Sequence, residues 1–254
     1  MTAIVANPDK RLWAPNPDRK AARDVREMFA RVSSRYDLIN RIISLGLDDR
    51  WRRRAADLAE LSGSERVLDV ATGTGDLALA FGSRLPRGRV VAVDFCAPML
   101  GLAREKMARS NGSASTERLS LAAADALRLP FRDEAFDVVT AGFGVRNFED
   151  LAAGLREMHR VLRPRGRVVI LESSNPETPV RRMLTGVYMR LIPALGRALS
   201  RSGTDAYRYL AESMQRFPDR AAFERLLVSC GFETPRSVPL TMGIVTVTVA
   251  RKSG

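Results

Sequence analysis

From residue 24 to 51 apolar side chains recur at helical spacing, first Val25, Met28, Phe29 and Val32, then Tyr36, Leu38, Ile39, Ile42, Ile43 and Leu45. This periodicity predicts amphipathic helices at the start of the chain. From about Leu61 to Ser173 short Val-rich runs alternate with Ala-, Leu- and Arg-rich helical stretches, the mark of successive βα units and a parallel sheet. Strands are expected at 66–71, 89–94, 119–123, 136–140 and 167–171, with helices starting near Asp76, Ala97 and Glu149 and a turn at Arg163-Pro164-Arg165-Gly166. Beyond Asn175-Pro176 a mostly helical insertion runs to about Arg216, and a last helix follows over 219–230, with Gly231 placed as its cap. Two β-like runs, 232–240 and 244–250, joined through Met242-Gly243, close the chain. The expected organisation is a loose arm over 1–20 and one domain over 21–254. Its parts are N-terminal helices (21–60), a core (61–175), a helical cover (176–216) and a last helix with two strands (217–254).

Composition narrows the class. With 254 residues, 45% of them apolar and 28% charged, the chain is too apolar for disorder and long enough for a sizeable core. No apolar run approaches the ~18 residues of a membrane span, and the polar stretch 7–20 leaves no room for a secretory h-region, so a cytoplasmic protein is expected. The formal charge is +12, yet only Lys10, Lys20, Lys106 and Lys252 are lysines and the longest basic run is Arg52-Arg53-Arg54. An arginine skew of that kind follows from GC-rich coding, and no zinc-finger or RNA-recognition signature accompanies it, so nucleic acid is not an expected partner. Cys96, Cys230 and the single His159, expected on the surface of an outer helix, leave no metal-ligand cluster.

Val67-Leu68-Asp69-Val70-Ala71-Thr72-Gly73-Thr74-Gly75-Asp76 reads as a strand, a glycine turn and a helix start. Gly73-x-Gly75-x-x-Ala78 also satisfies a dinucleotide fingerprint, with Asp94 about nineteen residues on. Electrostatics separates the readings. A pyrophosphate seeks the helix N-terminus, and Asp76 there repels it. S-adenosylmethionine has no phosphate and carries a positive sulfonium and amine, so carboxylates at Asp69 and Asp76 suit it. Asp94 is placed to accept from the ribose hydroxyls and Asp125 from the adenine amine. The plainer alternatives are a helix-end charge for Asp76 and a loop cap for Asp125.

With these residues the chain resembles class I S-adenosylmethionine methyltransferases, and among them the ubiquinone/menaquinone-biosynthesis C-methyltransferase family. The likeness lies in Phe29-Ala30-Arg31-Val32-Ser33-Ser34-Arg35-Tyr36-Asp37-Leu38-Ile39-Asn40, the glycine loop, Pro98-Met99-Leu100 and the stretch from Asp125 to Phe131. It continues through Phe143-Gly144-Val145-Arg146-Asn147, the stretch from Leu155 to Leu162, that from Tyr207 to Ser213, and Arg216-Phe217-Pro218. The resemblance implies a doubly wound, mostly parallel seven-stranded α/β sheet of Rossmann-like type, with N-terminal helices and a helical insertion before the last helix and strands. It implies methylation of a ring carbon on a polyprenylated quinol. Thr74, Asp94, Asp125 and Ala126 fall on cofactor-contacting positions, beside Asp69, Gly73, Gly75 and Gly142. The chain departs from the family at Gly142, Asp48, Ser173 and Thr248, where Ser or Thr, His, Phe and His are frequent. A shifted aromatic substrate is one consequence.

A ring carbon becomes nucleophilic when the adjacent phenol loses its proton, so a base or anion-stabilising group should face the donor methyl. Arg146 and Asn147 follow the fourth strand, where ligands bind in parallel sheets. The catalytic candidates are therefore Arg146 to stabilise the phenolate and Asn147 to orient the quinol or a water. Tyr36 and Asp37 close the site, and ion pairing of Arg146 with Asp150 is the structural alternative. An anionic membrane surface is the expected partner beside the quinol, with a homodimer or a quinone-synthesis complex as further assemblies. A nucleic-acid methyltransferase and a non-catalytic cofactor-binding scaffold are the competing functions.

Overall fold

The structure is a computed structural model, and it describes residues 22–109, 118–174, 209 and 212–254. Helices α1 (Ala22–Ile43) and α2 (Asp48–Leu58) lead into alternating strands and helices: β1 (Arg66–Val70), α3 (Asp76–Gly82), β2 (Arg89–Asp94), α4 (Ala97–Arg109) and β3 (Leu119–Ala123). Then come β4 (Phe136–Gly142), α5 (Leu151–Val161), β5 (Leu162–Ser173), α6 (Arg220–Ser229), β6 (Phe232–Leu240) and β7 (Val245–Lys252). Residues 1–20 and most of the expected helical cover lie outside the described residues.

The strands form one seven-stranded sheet in the order β3-β2-β1-β4-β5-β7-β6. β1 to β5 pair in parallel and β7 runs antiparallel to both its neighbours. The strand order reverses between β1 and β4, the point where open α/β sheets bind ligands beyond the carboxyl ends of their strands. Alternation along each central strand sends side chains to opposite faces. Leu68, Val139 and Val168 join α5 and α6 in one core, while Val67, Val138 and Val169 join α2 and α3 in the other. Both faces are covered, which is why these strands are nearly continuous Val and Leu runs.

Two expectations are corrected. The turn at 163–166 lies inside β5: α5 passes directly into extended backbone at Leu162, and Arg165 takes a left-handed φ of 61° where the β4–β5 register shifts. His159 is half-buried between α5 and β6, its ring edge-on to Phe232 at 5.0 Å. Its surroundings lower its pKa, burial most and the Lys252 charge next.

Candidate active site

The carboxyl ends of β1, β2 and β4 open into a cavity of about 320 Å³. At the end of β1 the chain reverses through three left-handed residues, Ala71, Gly73 and Gly75, before α3 begins at Asp76. A Cβ on Gly73 would meet nothing within 4 Å, so its φ of 58°, rather than space, calls for glycine. The loop is tied to β2 through two successive amides, Thr72 N–H donating to Val93 O at 3.0 Å and Gly73 N–H to Asp94 Oδ2 at 2.8 Å.

Asp94 lines the cavity and is buried, with Cys96 N–H donating to Oδ1 at 2.8 Å. Burial raises its pKa against these backbone donors. Each oxygen thus holds one N–H and keeps accepting capacity toward the cavity. Asp125 and Ala126 line the opposite wall; the Asp125 carboxylate also accepts from Leu127 N–H at 2.9 Å, so the loop-cap alternative and the cavity position hold together.

Gly73 and Thr74 close the near side of the cavity and Gly142 borders it, while Gly75 caps α3 behind them and does not line it. A Cβ on Gly142 would come 2.9 Å from Leu77 Cδ2, so a family-like Ser or Thr requires that leucine to turn aside.

Asp69 is placed otherwise. It is 0% exposed and is not among the residues that line this cavity; its Oδ2 accepts from Thr72 Oγ1 at 2.5 Å, so it holds the loop from beneath. Burial, helped by the nearby Asp94 charge and opposed by the Thr72 hydroxyl, raises its pKa to about 7.

Asp37 of α1 reaches the glycine loop: Thr74 Oγ1 donates to Asp37 Oδ1 at 2.6 Å, and Lys106 of α4 bonds Asp37 at 2.7 Å, Thr74 Oγ1 at 3.1 Å and Asp76 as well. Arg52 of α2 adds a 3.3 Å contact to Asp76 and a 2.6 Å pair to Asp48. The sequence reading missed Lys106 and Arg52. Their only signal was that both sit on helices flanking the loop. The side chain of Tyr36 lies outside the described residues.

A second pocket of about 60 Å³ adjoins the cavity and shares Asn40, Arg52 and Phe143 with it. Phe143 adopts a left-handed φ of 56° with its N–H on Leu171 O at 2.8 Å, and its ring lies 6.2 Å from Trp51 and 5.7 Å from the Arg146 guanidinium. Arg146 borders this smaller pocket and pairs at 2.5 Å with Glu172, the two side chains 6% and 4% exposed. The alternative of Asp150 as its partner is thereby corrected: Asp150 caps α5, accepting from Ala153 N–H at 2.8 Å. Glu172, unforeseen as a site residue, also accepts from the Ser173 N–H and hydroxyl at 2.7 and 3.0 Å.

Asn147 lines the larger cavity, and Tyr209 OH donates to its Oδ1 at 3.2 Å. Asp48 and Ser173 border the small pocket, whereas Thr248 pairs with Ser237 inside the sheet and is no part of it. Burial raises the Asp48 pKa, but Arg52 and the Ser44 hydroxyl outweigh it and hold the carboxylate below its usual range. No cluster of metal-ligating side chains occurs among the described residues.

A parallel sheet with one reversed strand near its end, an acid on β2 facing a glycine turn after β1, and a cavity between them define a class I methyltransferase fold. The chain belongs to the ubiE/COQ5 methyltransferase family, whose model matches residues 17–252. It is 44% identical over 230 residues to the ubiquinone/menaquinone biosynthesis C-methyltransferase UbiE of Citrifermentans bemidjiense, covering 90% of this chain and 96% of that one. It is 45% identical over 223 residues to the demethylmenaquinone methyltransferase of Thermus thermophilus, covering 87% and 98%. Among solved structures, a SAM-dependent methyltransferase from Thermotoga maritima superposes with a TM-score of 0.60 at 15% identity over 89% of this chain and 99% of the other. The [4+2]-cyclase SpnF superposes at 0.62 and 16% over 92% and 98%. A cyclase on the same frame shows that the fold alone does not select the reaction.

Proposed function

We propose that this protein transfers the methyl group of S-adenosylmethionine to a ring carbon of a polyprenylated quinol in respiratory quinone biosynthesis. The observation that carries the reading is the pairing of an acid-walled cavity beside the glycine turn with an adjoining pocket bordered by a buried arginine, in a chain whose relatives at 44–45% identity are named for quinone methylation.

The residues present fit the donor. The cavity is walled by Asp94 and Asp125, acceptors suited to a ribose diol and an adenine amine, and its glycine turn lets the backbone lie against a ligand. Bound there, the donor supplies an electrophilic methyl on a sulfonium. Asp94, Asp125, Ala126, Gly73, Thr74 and Gly142 would hold it, with Gly75 behind them, and Asp69 would keep the loop in register from below.

The remaining residues prepare the acceptor. Arg146, neutralised by Glu172, still presents N–H donors to an oxygen gaining negative charge, and a preorganised donor of that kind is typically worth about 10²–10³ in rate. Asn147 is oriented by Tyr209 and can hold the ring or a water. Asp37 is engaged by Thr74 and Lys106, so its role is to fasten α1 over the cavity. Asp48, held ionised by Arg52, is a weak base. A prenylated acceptor resides in the bilayer, and peripheral association with an anionic membrane follows from it.

Deleting the gene should cause a demethylated quinone precursor to accumulate, with the methylated quinone restored by the wild-type gene. An unchanged quinone profile would refute the reading, and a missing methyl on another aromatic product would name a different acceptor. In purified protein, Asn147→Ala should lower turnover far more than donor affinity, and Arg146→Lys should lose less turnover than Arg146→Ala. The alanine variant also strands the buried Glu172, at about 3–5 kcal/mol of stability. Turnover near wild type in all three would remove both residues from the chemistry.

A further inference from the structure

Arg52 is the only basic side chain among the described residues that line the larger cavity. It stands on α2 with its side chain 11% exposed, its NH1 fixed to Asp48 at 2.6 Å and its NH2 at a looser 3.3 Å from Asp76. Neighbouring Trp51 anchors the helix, donating from its indole N–H to Thr241 Oγ1 at 2.8 Å, and Ala55 and Ala56 are buried beneath it. The guanidinium is therefore aimed rather than freely swinging, one edge held and the other toward the glycine loop.

Charge states what such a group is for. Asp37, Asp48 and Asp76 meet Arg52 and Lys106 in one connected cluster, which sums to −1. The methyl donor of the proposed function carries a sulfonium, an amine and a carboxylate, which sum to +1. The totals complement each other, but the donor's own carboxylate would face Asp76 at the same end of the cavity. Like charges that close disfavour binding unless a cation stands between them. The short helix α3 cannot supply it, because Asp76 occupies its first position.

We infer that Arg52 binds the carboxylate of the donor's amino-acid end, moving its looser NH2 edge from Asp76 to the ligand while Asp48 keeps the other edge in place. Asp76, still held by Lys106, is then left to face the donor's amine. A planar guanidinium suits a carboxylate bidentately, which a lysine does not. The inference rests on S-adenosylmethionine being the donor.

Calorimetry with S-adenosylmethionine and decarboxylated S-adenosylmethionine separates the two ideas. The wild-type protein should bind the carboxylate-bearing ligand about 10- to 100-fold more tightly, the weight of a hydrogen-bonded charge. Arg52→Gln should erase that difference, losing the same factor for S-adenosylmethionine while changing the decarboxylated ligand by no more than about threefold. Arg52→Lys should recover only part of the loss. Equal affinity of the wild type for both ligands, or an equal loss of both in Arg52→Gln, would overturn the assignment. The wild-type comparison needs no variant and stands even if Arg52→Gln does not fold. Failure of the wild type to bind either ligand would instead overturn the choice of donor.

Discussion

Asp69 and Asp94 end neighbouring strands, yet the structure puts only one of them on the cavity wall. Side chains alternate along β1, so the acid one residue short of the strand's end is turned under the loop while Asp94, the last residue of β2, faces the ligand space. Sequence position told that acids cluster at strand ends; it did not tell their depth. The same limit hid Glu172, whose partner Arg146 lies 26 positions away and is brought to it only by β4–β5 pairing. Depth has a measurable consequence for Asp69. Its pKa is raised from 3.8 to about 7, so between those values the folded protein holds a proton that the unfolded chain has lost. This contribution is full below the lower value and disappears as pH rises through the upper one. Asp69→Asn, which cannot ionise, should therefore gain stability relative to wild type between pH 5 and pH 8. Urea unfolding of both proteins across that range tests this, and a difference independent of pH would mean that Asp69 titrates as an ordinary carboxylate.

Elements were more legible than their joins. The βα alternation located the five parallel strands and, within two residues, the starts of α3, α4 and α5, because burial on one or both faces imposes the apolar pattern. It missed the break between α1 and α2, where Leu45 and Gly46 take left-handed φ values of 53° and 75°, since the apolar spacing runs on through Leu45 and Leu47 and hides the single glycine between them. It also missed the crowding between the loops after β1 and β4. A Cβ on Gly144 would lie 2.6 Å from the Ala71 Cβ, although the φ of Gly144 is an ordinary −105°. Space, not conformation, demands this glycine. Gly144→Ala should push the two loops apart, costing about 1–3 kcal/mol as overpacking does, and should weaken donor binding with it. Gly101, within α4 and with nothing inside 4 Å of a new Cβ, is the control: Gly101→Ala should stabilise by about 0.5–1 kcal/mol. Melting curves of the two variants decide it, and a Gly144→Ala protein as stable as wild type would show that the loops yield freely.

At the scale of the whole molecule the clefts at the two ends of the sheet differ in charge. Acids and their fixed partners gather at the carboxyl ends of the sheet, while Arg66, Arg87, Arg89 and Arg118 share a groove at the amino ends. Four large apolar residues are exposed among those described: Leu38 (56%) on α1, Leu45 (80%) just beyond it, Met242 (59%) in the turn before β7, and Val228 (56%) apart from them on α6. Leu45 and Met242 are both held outward by left-handed backbone, and they adjoin Ile43, Ser44 and Ile244 of the small pocket. No helix among the described residues is long and apolar enough to cross a membrane. The prenylated acceptor of the proposed function would be drawn from the bilayer. Beside the small pocket Leu45 and Met242 offer apolar surface to lipid, and Arg41 and Arg53, which line a neighbouring cleft with Leu38, offer charge to headgroups. Burying one such side chain is worth about 1.5–3 kcal/mol, and each basic residue near an anionic surface adds about 1 kcal/mol. The protein should therefore float with anionic liposomes at low salt, and less so as salt rises. The double variant Leu45→Asp and Met242→Asp should lose most of that association while binding the donor as before. Flotation of the double variant equal to wild type would move the membrane contact elsewhere, and no flotation of wild type at low salt would remove the bilayer from the path of the substrate.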